Sequence, residues 1–537
     1  SAFNCRGIPG SASWSQHAYG RAVDINPLRN PSVHQDGWLE PSTAGRYRDR
    51  TRTDPGMLHD GDAFRFYCFK GRSSDTLYQF SRDGEVYRFG HRSIDTIPVT
   101  GFPDDTDWSR DTALRVHCLR QLREALNDEI EHLRTITVAE VGAPVSLTYG
   151  GHLQAPIDGL GYAADLAGNY EWTTDLGEAA PFGKPTRRTV VREPCGVVGA
   201  VTPWNFPHQI NLAKLGPALA AGNTVVLKAA PDTPWCAAEV GRIINERTDF
   251  PAGVVNVVTS GDHRIGAQLT EDPRVDLVSF TGSTATGRAV MVAASHTIKK
   301  VFLELGGKSA YIVLDDADLP AACAAAAAGV AMHAGQGCAF TTRLLVPRAR
   351  YDEAVAAAAT AMSGIGFGDP TDPATLCGPL ISARQRDRVE GYLRLALEEG
   401  GRFACGGGRP ADRTKGFFIE PTVIAGLTND ARVAREEIFG PVLTVIAHDG
   451  DADAVRIAND SPYGLSGAVV GTDQDRVDWV ASRLRTGTIN VNGGVWYSPD
   501  APFGGYKQSG IGREMGLAGF EEYLETKLVA RGIAGAR

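Results

Sequence analysis

Val197-Val-Gly-Ala-Val201, then an apolar helical stretch from Ile210 to Ala221, then Thr224-Val-Val-Leu-Lys228: this alternation decides the fold. Short β-branched runs separated by a helix-length segment of apolar period predict parallel βαβ units, whose central strands are buried on both faces. The pattern continues with a helix from Pro234 to Glu246 and strands at Val254 to Val258 and Leu277 to Thr281. A second set has strands near Ala310 to Val313, Thr342 to Val346 and Val442 to Ile446. Upstream, Leu114, Cys118, Leu119, Leu122, Leu126, Ile130 and Leu133 recur at helical spacing within Trp108 to Val141, with Asp107 or Ser109 available as a cap. No internal repeat is evident.

The 537 residues exceed what one hydrophobic core organises, so two or three domains are expected. A hydrophobic fraction of 43% and a charged fraction of 22% are those of a soluble globular protein. With 54 basic against 63 acidic residues, a net charge of -9, there is no electrostatic case for nucleic acid. No apolar run is long enough for a membrane helix, and the stretch Ala321 to Ala328 reads as a packed helix. The nine cysteines are scattered without a CxxC pair, which points to neither a disulfide framework nor a cysteine zinc site and fits the reducing cytoplasm. The chain opens on Ser1, and no charged segment followed by an apolar stretch marks a secretory signal.

Candidate chemistry is concentrated in Glu304-Leu-Gly-Gly-Lys308 and Gly335-Gln-Gly-Cys338, a carboxylate and a thiol each beside glycines that allow close backbone approach. They read as a base and a nucleophile, the thiol needing a neighbouring group or field that favours its ionised form. Phe280-Thr-Gly282-Ser283-Thr-Ala-Thr-Gly287 is a strand end turning into a helix, with the free amides and positive field that suit a pyrophosphate. The late Gly510-Ile-Gly512-Arg-Glu-Met-Gly516 has one residue too many for a dinucleotide fingerprint.

Together with Thr202-Pro-Trp204-Asn205-Phe-Pro207, Glu437-Ile-Phe439-Gly-Pro441 and Pro502-Phe-Gly-Gly-Tyr-Lys507, these motifs occur in the order and spacing of the aldehyde dehydrogenase superfamily, which the chain resembles from about Asp104 to Lys527. The resemblance implies an α/β fold: a Rossmann-type cofactor domain (101–303, with 490–515 returning to it), an α/β catalytic domain (304–489) and oligomerisation strands (183–195 and 520–533). It implies NAD(P)-dependent oxidation of an aldehyde to a carboxylic acid through a cysteine thiohemiacetal and thioester, in a homodimer or homotetramer. Cys338 would be the nucleophile, Asn205 the oxyanion donor, Glu304 the base for water, and Lys214 and Glu514 secondary in proton relay or orientation. Trp204, Lys228, Gly282, Ser283, Gly287, Leu305, Glu437 and Phe439 would hold NAD or NADP. Where the family often has Lys-Pro-x-Glu, this chain reads Lys228-Ala-Ala-Pro231, so the glutamate that selects for NAD is missing and the cofactor stays open. The loop Val491 to Pro502, with Trp496, Tyr497 and Asp500, is expected to line the entrance for a medium-sized apolar or aromatic aldehyde.

Residues 1–100 differ in character. Ser15-Gln-His17-Ala-Tyr-Gly20-Arg-Ala-Val-Asp24 resembles the zinc D-alanyl-D-alanine carboxypeptidases, with His17 and Asp24 at two ligand positions. The later ligand element of that family is not recognisable: Leu77-Tyr-Gln-Phe80 lies where it should fall, without a histidine. Two ligands do not complete a catalytic zinc site. The segment is expected to be an incomplete, inactive peptidase-like module in place of the dehydrogenase family's usual first strands. The alternatives are an active zinc carboxypeptidase in this segment, or a catalytically inactive fusion, against which the intact set Cys338, Glu304 and Asn205 argues.

Overall fold

The computed structural model describes residues 107–413 and 415–533, together with strands at 32–33, 39–40, 65–70, 76–82 and 85–90. The chain divides into two compact units, Ser1–Val99 with Ser260–Gln268, and Thr100–Thr259 with Leu269–Arg537. In the first, Arg65–Lys70, Thr76–Arg82 and Glu85–Gly90 form an antiparallel three-stranded sheet. His17 and Asp24 lie outside the described residues.

The second unit begins with two helices, α1 (Thr112–Asp128) and α2 (Ile130–Val141). The expected single helical segment is therefore divided. Asp107 to Ser109 form a 3-10 turn, and the cap is Asp111, whose carboxylate accepts the Leu114 amide at 2.9 Å. The break falls at Glu129, whose carboxylate turns out to meet Arg242 and Arg247.

Next come α3 (Gln154–Asn169), the strands β1 (Thr173–Ala179) and β2 (Thr186–Pro194), β3 (Val197–Val201), α4 (Pro207–Ala220) and β4 (Thr224–Lys228). Then follow α5 (Pro234–Arg247), β5 (Val255–Val258), β6 (Leu277–Thr281), α6 (Thr284–Ser295) and β7 (Lys300–Glu304). The predicted strands at 197–201, 224–228 and 277–281 agree with these to the residue. Pro207 starts α4 earlier than the apolar period alone suggests, because proline at a first helical turn loses no hydrogen bond.

The second half contributes β8 (Ala310–Val313), α7 (Leu319–Ala331), β9 (Arg343–Pro347), β10 (Arg402–Cys405), β11 (Thr422–Ala425), β12 (Val442–His448), β13 (Gly467–Val470), β14 (Asn490–Val491), β15 (Gly510–Ile511) and β16 (Leu524–Gly532). Two large sheets result, one of order β5-β4-β3-β6-β7-β15 and one of order β10-β11-β12-β9-β8-β13-β14. Both are parallel apart from the antiparallel strands β15 and β10. The chain crosses between them after Leu305. Of the stretch 490–515, only its end rejoins the first sheet, through β15; Asn490–Val491 stays in the second, paired with β13.

Every residue of β4 and β9 is buried, as strands covered by helices on both faces require. Leu119, Leu122 and Leu126 of α1 share one core with Leu160 of α3 and with Leu215 and Leu219 of α4. That packing fixes α4, the helix that follows Asn205, against the first sheet. A separate three-stranded sheet, β16-β2-β1, leaves β16 at its edge. Among the described residues, no helix is long and apolar enough to cross a membrane.

Candidate active site

Beyond α7 the chain turns sharply through His333, Ala334 and Gly335, at φ of 50°, 52° and 71°. Only Gly335 is suited to that left-handed region, and any Cβ there would collide with the Gly440 carbonyl. The turn delivers Gln336, Gly337 and Cys338. Asn205, on the loop after β3, donates its side-chain amide to the Gln336 carbonyl at 2.9 Å. A Cβ on Gly307 would stand 2.5 Å from the Cys338 carbonyl oxygen, so the Gly306-Gly307 pair lets the two loops touch. Cys338 is half-buried. Burial, then the charges of Glu304, Glu437 and Glu514, push its thiol pKa up. The neighbouring field thus favours the protonated thiol, opposite to the ionising environment expected from sequence, because the groups that converge on it are acids.

Glu304 ends β7 and is buried, with neither carboxylate oxygen in a well-aligned hydrogen bond. Desolvation and then Glu514 raise its pKa well above the usual carboxylate range; Lys214, Arg513 and the Gly505 amide pull it back. Lys214, fully buried on α4, donates to Glu514 at 2.7 Å and to Ser279 Oγ at 3.0 Å. Ser279 Oγ in turn meets the Tyr523 hydroxyl at 3.1 Å. Cys338, Glu304, Asn205, Lys214 and Glu514 therefore converge.

Of the remaining candidates, Trp204, Lys228, Gly282 and Ser283 lie at or just beyond the carboxyl ends of β3, β4 and β6. Strand order reverses at β3, the place where open α/β sheets accept ligands. Lys228 closes β4 and is buried. Gly282 follows β6 and donates its amide to the Glu304 carbonyl at 3.0 Å. Ser283 caps α6, accepting the Thr286 amide at 3.2 Å. Gly287 lies against Leu305, with no room for a Cβ. Glu437, before β12, accepts the Gly307 amide at 3.0 Å, and burial pushes its carboxyl up to about 7. Phe439, at φ 64°, packs edge-on against Trp204 with ring centroids 5.4 Å apart. The Thr281 hydroxyl is buried here without a hydrogen-bond partner. A capped helix start, close-approach glycines and an unsatisfied hydroxyl at a strand-order reversal fit a dinucleotide.

Several contributors were not legible as such in the sequence. Gln336 lay within the quoted glycine motif, but nothing in the spacing marked His333, Ser279 or Tyr523.

Residues 102–529 match the aldehyde dehydrogenase family. The chain belongs to that family. Its dehydrogenase part is 43% identical over 427 residues to 3-succinoylsemialdehyde-pyridine dehydrogenase from Pseudomonas sp., covering 79% of this chain and 87% of that protein. Among solved structures, a Mycobacterium tuberculosis aldehyde dehydrogenase complexed with NAD+ superposes with a TM-score of 0.79 at 39% identity, covering 84% of this chain and 94% of that one. Aldehyde dehydrogenase C from Pseudomonas syringae, a mutant complexed with NAD+ and octanal, gives 0.77 at 37% identity, with coverages of 81% and 88%. In the present aldehyde dehydrogenase the family match starts beyond the amino-terminal segment, of which residues 9–59 match the D-alanyl-D-alanine carboxypeptidase family.

Proposed function

We propose that the protein oxidises an aldehyde to a carboxylic acid with NAD or NADP, and that Cys338, Asn205 and Glu304 carry the reaction. The observation that carries this reading is the joining of three separate loops, by the Asn205 to Gln336 hydrogen bond and the Gly307 to Cys338 contact, beside a buried carboxylate. The Cys338 thiol gives up its proton to solvent as the sulfur attacks the aldehyde carbon. The oxyanion of the thiohemiacetal is stabilised by the second N–H of the Asn205 amide and the Cys338 backbone amide. When bound, the dinucleotide supplies the hydride acceptor that converts the thiohemiacetal to a thioester. Glu304 then takes a proton from the water that hydrolyses it, and Lys214 with Glu514 holds that carboxylate's electrostatic environment.

Gly282 and Ser283 would bear the pyrophosphate, Lys228 the adenosine ribose, and Glu437 and Phe439 the nicotinamide ribose and ring, with Trp204, Gly287 and Leu305 beside them. The first sheet then serves as the cofactor domain and the second as the catalytic domain.

An apolar groove supports an apolar or aromatic aldehyde. It is lined by Pro156 and Gly159 of α3, Gln209 and Ala213 of α4, Tyr497 and Met515. Ala213 and Met515 adjoin Lys214 and Glu514 in sequence. Phe206, in the loop before α4, is edge-on to Phe340, two residues past Cys338. The unpaired edge of β16, with Leu528 exposed, supports assembly into a homodimer or homotetramer. The free state of the described cysteines supports a reducing cytoplasm.

The test is reduction of NAD or NADP by purified protein across a panel of aldehydes, with loss of activity in Cys338→Ser; unchanged turnover in that variant overturns the reading. The match at residues 9–59 supports a second reading, a zinc carboxypeptidase in residues 1–100. Stoichiometric zinc that is lost in His17→Ala, with cleavage of a D-Ala-D-Ala peptide, would establish it.

A further inference from the structure

We propose that His333 is a positioning residue for the oxyanion step, holding Asn205 in register with the Cys338 loop; the proposal rests on reading Asn205 as the oxyanion donor. His333 Nε2 lies 2.9 Å from the backbone carbonyl oxygen of Asn205. A carbonyl only accepts, so the imidazole is the tautomer with its proton on Nε2. Asn205 returns the contact through its side chain, donating to the Gln336 carbonyl at 2.9 Å. One residue is thus tied at its backbone and at its side chain to a single turn that ends at Cys338. One of the two amide hydrogens is spent on Gln336, and the direction of the other is thereby set.

The turn itself is locked. Gln336 donates its Nε2 to the His333 carbonyl at 3.2 Å, and its Oε1 accepts the Ile381 amide at 2.9 Å. His333 and Ala334 hold left-handed backbone, which side-chain-bearing residues adopt at a cost and keep only where the surroundings impose it. The His333 ring is fully buried, packed edge-on against His152 with centroids 4.5 Å apart and against Phe206 at 5.2 Å. Phe206 is the neighbour of Asn205, so the ring clamps the donor's chain from the side as well as by hydrogen bond. Burial holds the His333 pKa down at about 4, and the ring stays neutral and a constant donor through the working range. Its other nitrogen, Nδ1, has no hydrogen-bond partner, which leaves the Asn205 contact as the ring's hydrogen-bonding role.

The experiment compares His333→Leu, which removes the donor, with His333→Gln, whose Nε2 reaches to the same depth. Rates are measured for aldehyde oxidation and for hydrolysis of p-nitrophenyl acetate without dinucleotide, a reaction that passes through a Cys338 oxyanion with no hydride transfer. His333→Leu is expected to lower kcat and the ester rate together by about 10- to 100-fold, on the scale of a disturbed oxyanion donor. KM, dinucleotide Kd and the rate of Cys338 alkylation by iodoacetamide should stay within about threefold, since none uses the oxyanion donor. His333→Gln should recover most of both rates.

The proposal is overturned if His333→Gln is no better than His333→Leu, if the ester rate is unaffected, or if alkylation and dinucleotide binding fall in step with kcat. Should His333→Leu not fold, His333→Asn, whose amide stops short of the Asn205 carbonyl, replaces it with the same outcomes. Asn205→Ala separates the two levels. Undiminished rates in that variant would remove the Asn205 reading, whereas slow Asn205→Ala beside fully active His333→Leu overturns only the role of His333.

Discussion

The carbonyl oxygen of Cys338 stands 2.5 Å from where a Cβ on Gly307 would be, closer than a real Cβ approaches a carbonyl. Glu304 and Cys338 are thus linked through backbone, because Gly307 lies three residues after Glu304 on the loop that leaves β7. Gly307→Ala is expected to push the Cys338 loop away, cutting kcat by at least about tenfold through misplacement of the reacting atoms. The accompanying overpacking should destabilise by about 1–3 kcal/mol. Steady-state kinetics beside a denaturation curve checks both numbers.

The buried Glu304 carboxyl must be ionised to accept a proton, and its pKa is raised by desolvation and by Glu514. kcat should therefore rise with pH through an ionisation well above the usual carboxylate range, with the slope absent in Glu304→Gln. That variant should still acylate and release reduced dinucleotide once per site, then stall at thioester hydrolysis. Rapid-mixing kinetics distinguishes this burst from a simple loss of all steps.

Cofactor choice follows from Pro231, three residues beyond the end of β4. A proline offers neither a carboxylate to hold ribose hydroxyls nor a charge to repel a 2′-phosphate. NAD and NADP are expected to be used with kcat/KM values within about tenfold, and Pro231→Glu should depress NADP use selectively by about tenfold or more. Kinetics with the two cofactors at a fixed aldehyde concentration reads out the ratio.

Much of this architecture was legible because its signals are local. The runs at 197–201, 224–228 and 277–281 are strands to the residue because an apolar β-branched segment between helical ones has few other uses. The cap of α1 was misread because Asp107, Ser109 and Asp111 are all good caps, and the choice is made by burial of Trp108 and its indole bond to the Asn223 carbonyl, a contact across 115 residues. The site motifs were readable as motifs, yet the upward push on the Cys338 thiol pKa was not. It comes first from burial and Glu304, and then from Glu437 and Glu514, which lie far along the chain and approach only after folding. His333 was hidden for the same reason, since its partner Asn205 is 128 residues away.

Lys214 and Glu514 form an ion pair at 2.7 Å, with side chains 0% and 7% exposed. Lys214→Met would leave the Glu514 carboxylate buried without its cation, and a loss of about 3–5 kcal/mol in stability is expected. Because Lys214 is also one of the charges that lower the Glu304 pKa, the ionisation seen in kcat should move to higher pH. A variant that is destabilised with an unmoved pH profile would separate the structural from the electrostatic role.

Three fully buried histidines, His152, His208 and His333, gather around the loop that carries Asn205 and Phe206, and desolvation lowers the pKa of each. For His208 and His333 the folded value is about 4, against 6.5 for the free side chain. Between those values the unfolded chain binds protons that the folded chain refuses. Stability is then complete above pH 6.5 and falls as pH drops toward 4, by about 1.4 kcal/mol per pH unit for each such histidine. His152 stacks on Phe206 at 4.1 Å and neither of its ring nitrogens is hydrogen-bonded, so a phenyl ring can take its place. His152→Phe should flatten the pH dependence of unfolding free energy between pH 6 and 5 by about 1.4 kcal/mol per unit. Parallel slopes for the variant and the parent protein in urea titrations at those two pH values would show that His152 takes up its proton without unfolding.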